Sequence, residues 1–230
     1  LDPERERVDA KASANEPDEF DDLGDHLLEI TDVGGSSPPD VVGATVLLGI
    51  ATASCPGLVA QLRDAAPVIL LEAPEDDWVD PMAKAVLGCL WSHVVQSDPD
   101  YPASAITDLR SSPVVVAAQA GRWNASGRDP ATTAFREYRA LIGIASANRT
   151  GLPPDLLAAC ERRILIEGLD PAAISLTIEH IAGRAPARSL TRESASLIRP
   201  ADLRIAIHPA RGADASVDRL EDLVRRRSRP

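Results

Sequence analysis

The sequence has few aromatic residues, few cysteines and no long apolar run, and each shortage excludes a class of protein. Aromatic residues make up 3% of the 230 residues, so the core must consist mainly of Ala, Val, Leu and Ile. Three widely spaced cysteines without a CxxC pair argue against a disulfide framework or a zinc site. No apolar run approaches the ~20 residues of a membrane span, and the charged N-terminus does not resemble a signal peptide. We therefore expect a cytoplasmic globular protein with no membrane contact.

The short motifs of several enzyme classes are also missing. The sequence contains neither an HExxH pair nor a GxSxG turn. Acidic residues are dense between Glu72 and Asp80, but they lack the glycine and terminal glutamate of a calcium loop, which favours a solvated loop over a metal site. The arginines of Arg225–Arg229 form too small a basic patch to predict nucleic-acid binding.

The net charge of −11 is concentrated at the start of the chain. Residues 1–40 carry thirteen Asp and Glu against three basic residues, whereas the other 190 residues carry twenty-two acids against twenty-one bases. This composition predicts that residues 1–40 form an acidic, largely disordered arm. Five apolar residues between Phe20 and Ile30 predict one short amphipathic helix near Asp22–Ile30, able to dock on a partner or on the domain itself.

From Val41 onward, apolar runs alternate with helical segments. Val41–Ile50 fits either a strand or the start of a buried helix, whereas Pro67–Leu71, Pro113–Ala118 and Leu141–Ala147 are predicted strands. Strands that alternate with helices are typical of an α/β fold with a parallel sheet and flanking helices. We therefore predict an α/β domain at residues 41–183, followed by short helices and a basic C-terminal helix or linker at residues 184–230.

The fullest pattern lies in Ala140–Gly183, which reads as strand, turn, helix, strand and helix. This stretch resembles the second half of an AAA-type (P-loop) ATPase core. In that family the fourth core strand ends in a polar sensor residue, and Asn148 is at the matching place. Arginines before the fifth strand act on the nucleotide of a neighbouring subunit, and Arg162 and Arg163 match them as candidates acting in trans. The resemblance also implies that residues 184–230 form a small helical lid.

The family's nucleotide-binding motifs do not accompany this resemblance. A phosphate loop needs GxxxxGK[ST], whose backbone N–H groups and lysine bind phosphates, yet the chain contains no Gly-Lys pair. The candidate remnant of such a loop is Gly49–Gly57, with Ser54 and Gly57, which lacks the lysine. The strand expected to end in a Mg²⁺-binding acid is Val114–Ala118, but Gln119 follows it, and Glu72 lies one strand too early.

These features imply a degenerate AAA ATPase-like domain, similar to the N-terminal inactive half of some bacterial AAA proteins. We expect an interaction or assembly module that is not an enzyme on its own. Its partner would be an active ATPase subunit or a further domain of the same chain, in a homo- or hetero-oligomer. One alternative is a subunit that binds ATP or ADP with Mg²⁺ and hydrolyses ATP only in a complex. The other is an unrelated α/β binding module or small-molecule enzyme.

Overall fold

The computed structural model describes residues 37–90, 113–118, 130–147 and 151–228. Its helices are α1 (Pro39–Ala53), α2 (Leu58–Asp64), α3 (Val79–Ala85), α4 (Pro130–Glu137), α5 (Pro154–Ala159), α6 (Pro171–Ala182), α7 (Arg192–Ser196), α8 (Pro200–Ala206) and α9 (Ala213–Arg227). Its strands are β1 (Val68–Ala73), β2 (Val114–Ala117), β3 (Leu141–Ser146) and β4 (Arg162–Leu165). The predictions for the first 36 residues and for Asn148 lie outside the described residues.

The four described strands form one parallel sheet in the order β2-β3-β1-β4. β1 pairs with β3 along its whole length, from Val68 opposite Leu141 to Ala73 opposite Ser146. On its other side β1 pairs with β4, and β3 pairs with β2. The predicted α/β class with a parallel sheet and flanking helices is therefore confirmed, and β3 is a central strand flanked by β2.

Helices cover both faces of the sheet, because alternate residues of each strand point to opposite sides. Val68 and Leu70 of β1 share one core with Leu156 of α5. Ile69 and Leu71 belong to a larger core that includes residues of α1, α3, α6, α8 and α9. The continuous apolar strands predicted from the sequence thus reflect burial on both faces.

The structure resolves the ambiguity at Val41–Ile50, which belongs to helix α1. Ten consecutive residues of this helix, from Asp40 to Gly49, are buried. A helix that is apolar all round is buried all round, and it lacks the 3.6-residue periodicity that distinguishes a helix from a strand in sequence. α1 packs against α3, α6 and α8, so it lies between the sheet domain and the C-terminal helices.

Local sequence signals set the ends of α6, which leads into the C-terminal helices. Asp170 caps α6 by accepting a hydrogen bond from the N–H of Ala173 at 2.7 Å, and Pro171 occupies the first helical position. Gly183 ends α6 in the left-handed conformation that glycine adopts without strain. The terminal helix α9 buries Val217 and Leu220 in the larger core. These helices therefore share a core with α1 and are not a separate unit on the surface.

Candidate functional site at the carboxyl edge of the sheet

The carboxyl ends of β1 and β3 define the candidate site, because the chain leaves these two strands toward opposite faces. After β1 it continues through α3, which packs in the larger core, whereas after β3 it continues through α5, in the smaller core. Ligands of open α/β sheets bind outside the carboxyl ends of strands at such a switch in direction. The register places Glu72 and Ala73 of β1 opposite Ala145 and Ser146 of β3 at this edge.

The connection from β1 to α3 is the strand-to-helix turn at which a phosphate loop would lie. Its residues are Pro74, Glu75, Asp76, Asp77 and Trp78, and the three acids are exposed. Proline has no backbone N–H to offer a phosphate, and exposed carboxylates repel one. The turn contains no glycine. The turn therefore has a proline and carboxylates where a phosphate loop has glycines and a lysine.

Helix α1 packs against Trp78, at the end of this turn. A Cβ atom built on Gly43 would lie 3.7 Å from Cη2 of Trp78, 3.8 Å from Cγ2 of Thr177 and 2.7 Å from Cδ1 of Leu203. Trp78 follows the acidic residues of the turn, Thr177 belongs to α6 and Leu203 to α8, and all three are buried. The backbone of α1 therefore fills the space between Trp78 and the helices α6 and α8.

The segment proposed as a remnant of a phosphate loop lies elsewhere. Ser54 and Gly57 follow the end of α1 and precede α2, so their turn joins two helices and does not follow a strand. The Ser54 hydroxyl donates to the carbonyl of Ile50 at 2.9 Å, which satisfies the end of α1. Gly57 has a φ of 78°, the left-handed conformation typical of a turn glycine. These contacts account for both residues as parts of a helix–helix turn.

Arg162 and Arg163 lie at the opposite edge of the sheet from the candidate site. They are the first two residues of β4 and stand opposite Ile69 and Leu70 of β1. Because the strands are parallel, the beginning of β4 lies toward the amino edge, away from the carboxyl ends of β1 and β3. Arg163 is exposed and Arg162 is half-buried. The structure thus does not bring these arginines together with the candidate site of the same chain.

The acids near the candidate site do not form a metal centre. β2 lies beside β3, as the resemblance requires, and its last residue is Ala117. By register, Glu72 opposite Ala145 is the carboxylate that the described strands place at this edge. Among the described residues, no group of three or more His, Cys, Asp or Glu is arranged to hold a metal ion. These residues therefore do not fit Mg²⁺ bound with a nucleotide in the family's way.

Sequence reasoning missed Asp40, which it assigned to the acidic arm. Asp40 lies in the first turn of α1 and is 3% exposed. Its Oδ2 atom is 3.4 Å from Nε of Arg204 on α8, and its Oδ1 atom has no hydrogen-bond partner among the described residues. The signal in the sequence was Pro39-Asp40, since proline and an acid are typical of a first helical turn. This ion pair fastens the start of α1 to the C-terminal helices.

The fold is an α/β domain with a parallel sheet and helices on both of its faces. No protein-family model matches the chain, and neither a curated protein nor a solved structure matches it. Among the described residues, none of the helices is long and apolar enough to cross a membrane. The functional proposal therefore rests on the geometry of the chain itself.

Proposed function

We propose that this chain is a degenerate AAA-type ATPase domain that serves as a non-catalytic assembly module. Its partner is an active ATPase subunit or a further domain of the same polypeptide. Support comes from the strand arrangement, in which the sensor-like strand β3 is central, β2 lies beside it and the arginine-bearing strand β4 follows it in the chain. The observation that carries the proposal is the β1–α3 turn, which is acidic, contains no glycine and ends in Trp78 packed against α1.

Electrostatics oppose a nucleotide at this turn. A carboxylate brought within ~4 Å of a phosphate oxygen costs about 4 kcal/mol at an effective dielectric constant of ~20. Glu75, Asp76 and Asp77 are all exposed in the turn, and no lysine accompanies them there. A triphosphate would therefore meet repulsion where a phosphate loop provides N–H groups and a lysine.

The packing of α1 beside Trp78 opposes it as well. Making room for a ligand there would require α1 to leave the core, which would expose Val42, Val46, Leu47 and Leu48. Each such side chain contributes about 1.5–3 kcal/mol when it is fully buried. The sum is comparable to the ~5–15 kcal/mol that stabilises a typical domain. We conclude that α1 is a permanent part of this fold and not a movable cover.

The proposed contribution of Arg162 and Arg163 is to a neighbouring subunit. Exposed guanidinium groups at the edge of a subunit can stabilise charge on phosphates bound by the next one. Their position away from the candidate site of their own chain favours this role in trans over a role in cis. The neighbour supplies the complete nucleotide site in this proposal.

The experiment compares complexes recovered with the tagged chain from its native cells. We expect ATP hydrolysis in the wild-type complex and at least a tenfold lower turnover with an Arg162→Ala/Arg163→Ala chain. The matched control is Arg192→Ala/Arg219→Ala, which removes two exposed arginines from the C-terminal helices and should leave turnover unchanged. Equal turnover with both double variants would remove the trans role, and recovery of the chain without any ATPase would contradict the assembly function.

A further inference from the structure

The C-terminal helices carry an exposed apolar surface bordered by arginines. Leu197 and Ile205 are 48% and 51% exposed. Arg204 is the neighbour of Ile205 on α8, Arg211 donates to the Ile205 carbonyl at 3.3 Å, and Arg227 donates to the Leu197 carbonyl at 3.0 Å. We call these five residues the α8 surface. It combines apolar contact area with several guanidinium groups.

The arginines of the α8 surface keep hydrogen-bonding capacity for further carboxylates. Arg204 contacts Asp40, and Arg227 contacts Asp202. A guanidinium has five N–H donors, so one carboxylate contact leaves others available. Residues 184–228 contain ten arginines and six acids, which gives this region a net charge of +4. The surface is therefore suited to an occupant that is both acidic and apolar.

The N-terminal arm has this chemistry. Residues 1–36 contain twelve acids and three basic residues, a net charge of −9. Within them, residues 16–32 contain eight acids and no lysine or arginine, together with Phe20, Leu23, Leu27, Leu28 and Ile30. The apolar residues of this segment match the apolar residues of the α8 surface, and its carboxylates match the bordering arginines.

The arm also joins the described fold beside this surface. α1 begins at Pro39, and Asp40 in its first turn forms the ion pair with Arg204 on α8. The seven residue-to-residue steps from Ile30 to Ser37 span at most about 25 Å when extended. The seven residues of α8 are only about 10 Å long. The apolar part of the arm can therefore reach along the whole of α8.

We infer that the segment Phe20–Ile30 docks on the α8 surface of its own chain. Its apolar residues contact Leu197 and Ile205, and its carboxylates pair with the bordering arginines. A short connection between two binding surfaces gives an effective concentration in the millimolar range, which exceeds the concentration of separate chains in dilute solution. The docked arm masks the arginine-rich side of the C-terminal helices, so any other acidic partner must displace it.

Hydrogen exchange of the full-length chain at about 1 μM tests this docking. We take an effective concentration of ~1 mM and a dissociation constant of ~0.1 mM for the free segment. The arm is then docked in about ten of every eleven molecules. We expect the amides of Phe20–Ile30 to exchange about tenfold more slowly than in an Ile205→Asp chain. Leu165→Asp is the matched control, because Leu165 is 67% exposed and lies on β4; it should leave the protection unchanged.

A second measurement uses a fluorescent peptide of residues 16–33 and a Leu23→Asp/Leu27→Asp chain, whose own arm cannot dock. This chain should bind the peptide about tenfold more tightly than the wild-type chain, and adding Ile205→Asp should abolish the binding. Equal exchange of the arm in wild-type and Ile205→Asp chains would overturn the inference. So would protection that disappears on dilution, because the occupant would then be the arm of a second copy.

Discussion

At the scale of single residues, the fold depends on a few positions where the available space or a buried charge determines which residue fits. Gly143 in β3 is one: a Cβ there would lie 2.8 Å from Cδ2 of Leu156. Asp40 is another, since a carboxylate that is 3% exposed needs its partner Arg204. Both residues hold a helix in place, α5 against one face of the sheet and α1 against the C-terminal helices.

Gly143→Ala should lower the free energy of unfolding by about 1–3 kcal/mol. The added methyl group overlaps with the buried side chain of Leu156, and overpacking of a core has this typical cost. Gly168→Ala is the matched control, because a Cβ at Gly168 meets nothing within 4 Å. Urea unfolding of the two variants measures the difference. A Gly143→Ala chain as stable as the Gly168→Ala chain would show that α5 does not pack on β3 as described.

Arg204→Ala should destabilise the chain by about 1–2 kcal/mol. Loss of one partner of a fully buried ion pair costs about 3–5 kcal/mol, and the 57% exposed side chain of Arg204 reduces this figure through solvent screening. Asp40→Asn in the Arg204→Ala background should recover part of the loss, since it removes the unpaired charge. A double-mutant cycle gives the coupling. Additive effects of the two substitutions would contradict a direct ion pair.

At the scale of secondary-structure elements, β1 and β3 could be predicted because strands buried on both faces are short, continuous apolar runs. The half-buried edge strand β2 is apolar as well, so it could be predicted in the same way. α1 could not be assigned, since a helix buried on all sides has no amphipathic pattern. The packing of Trp78 could not be predicted either, because its neighbour α1 precedes β1 in the chain.

Leu48→Ala in α1 should cost about 2–5 kcal/mol in the free energy of unfolding. Leu48 is 2% exposed, and its truncation would remove apolar contacts and leave a cavity. The control is Leu165→Ala on β4, where the side chain is 67% exposed and the change should stay within about 0.5 kcal/mol. If the Leu48→Ala chain were as stable as the control, α1 would not be an integral part of the core.

At the scale of the whole molecule, an α/β fold hosts many unrelated functions, so function must be argued from the site. Here the site differs from an active nucleotide site in charge and in glycine content. The alternation of strands and helices predicted a parallel sheet with flanking helices, which the structure confirms. Asn148 stays a prediction, because it lies outside the described residues. What the sequence alone could not reveal is the packing of α1 against Trp78, which depends on long-range contacts.

Calorimetric titration of the chain with Mg-ATP and with Mg-ADP tests the non-catalytic proposal most directly. We predict no saturable binding up to about 1 mM nucleotide, which corresponds to a binding free energy weaker than about −4 kcal/mol. A Glu75→Gln/Asp76→Asn/Asp77→Asn variant should also fail to bind, because α1 still fills the space beside Trp78. Micromolar binding by the wild-type chain would contradict the non-catalytic proposal and favour the alternative of an ATPase subunit. Binding gained by the triple variant would show that charge alone, and not α1, excludes the nucleotide.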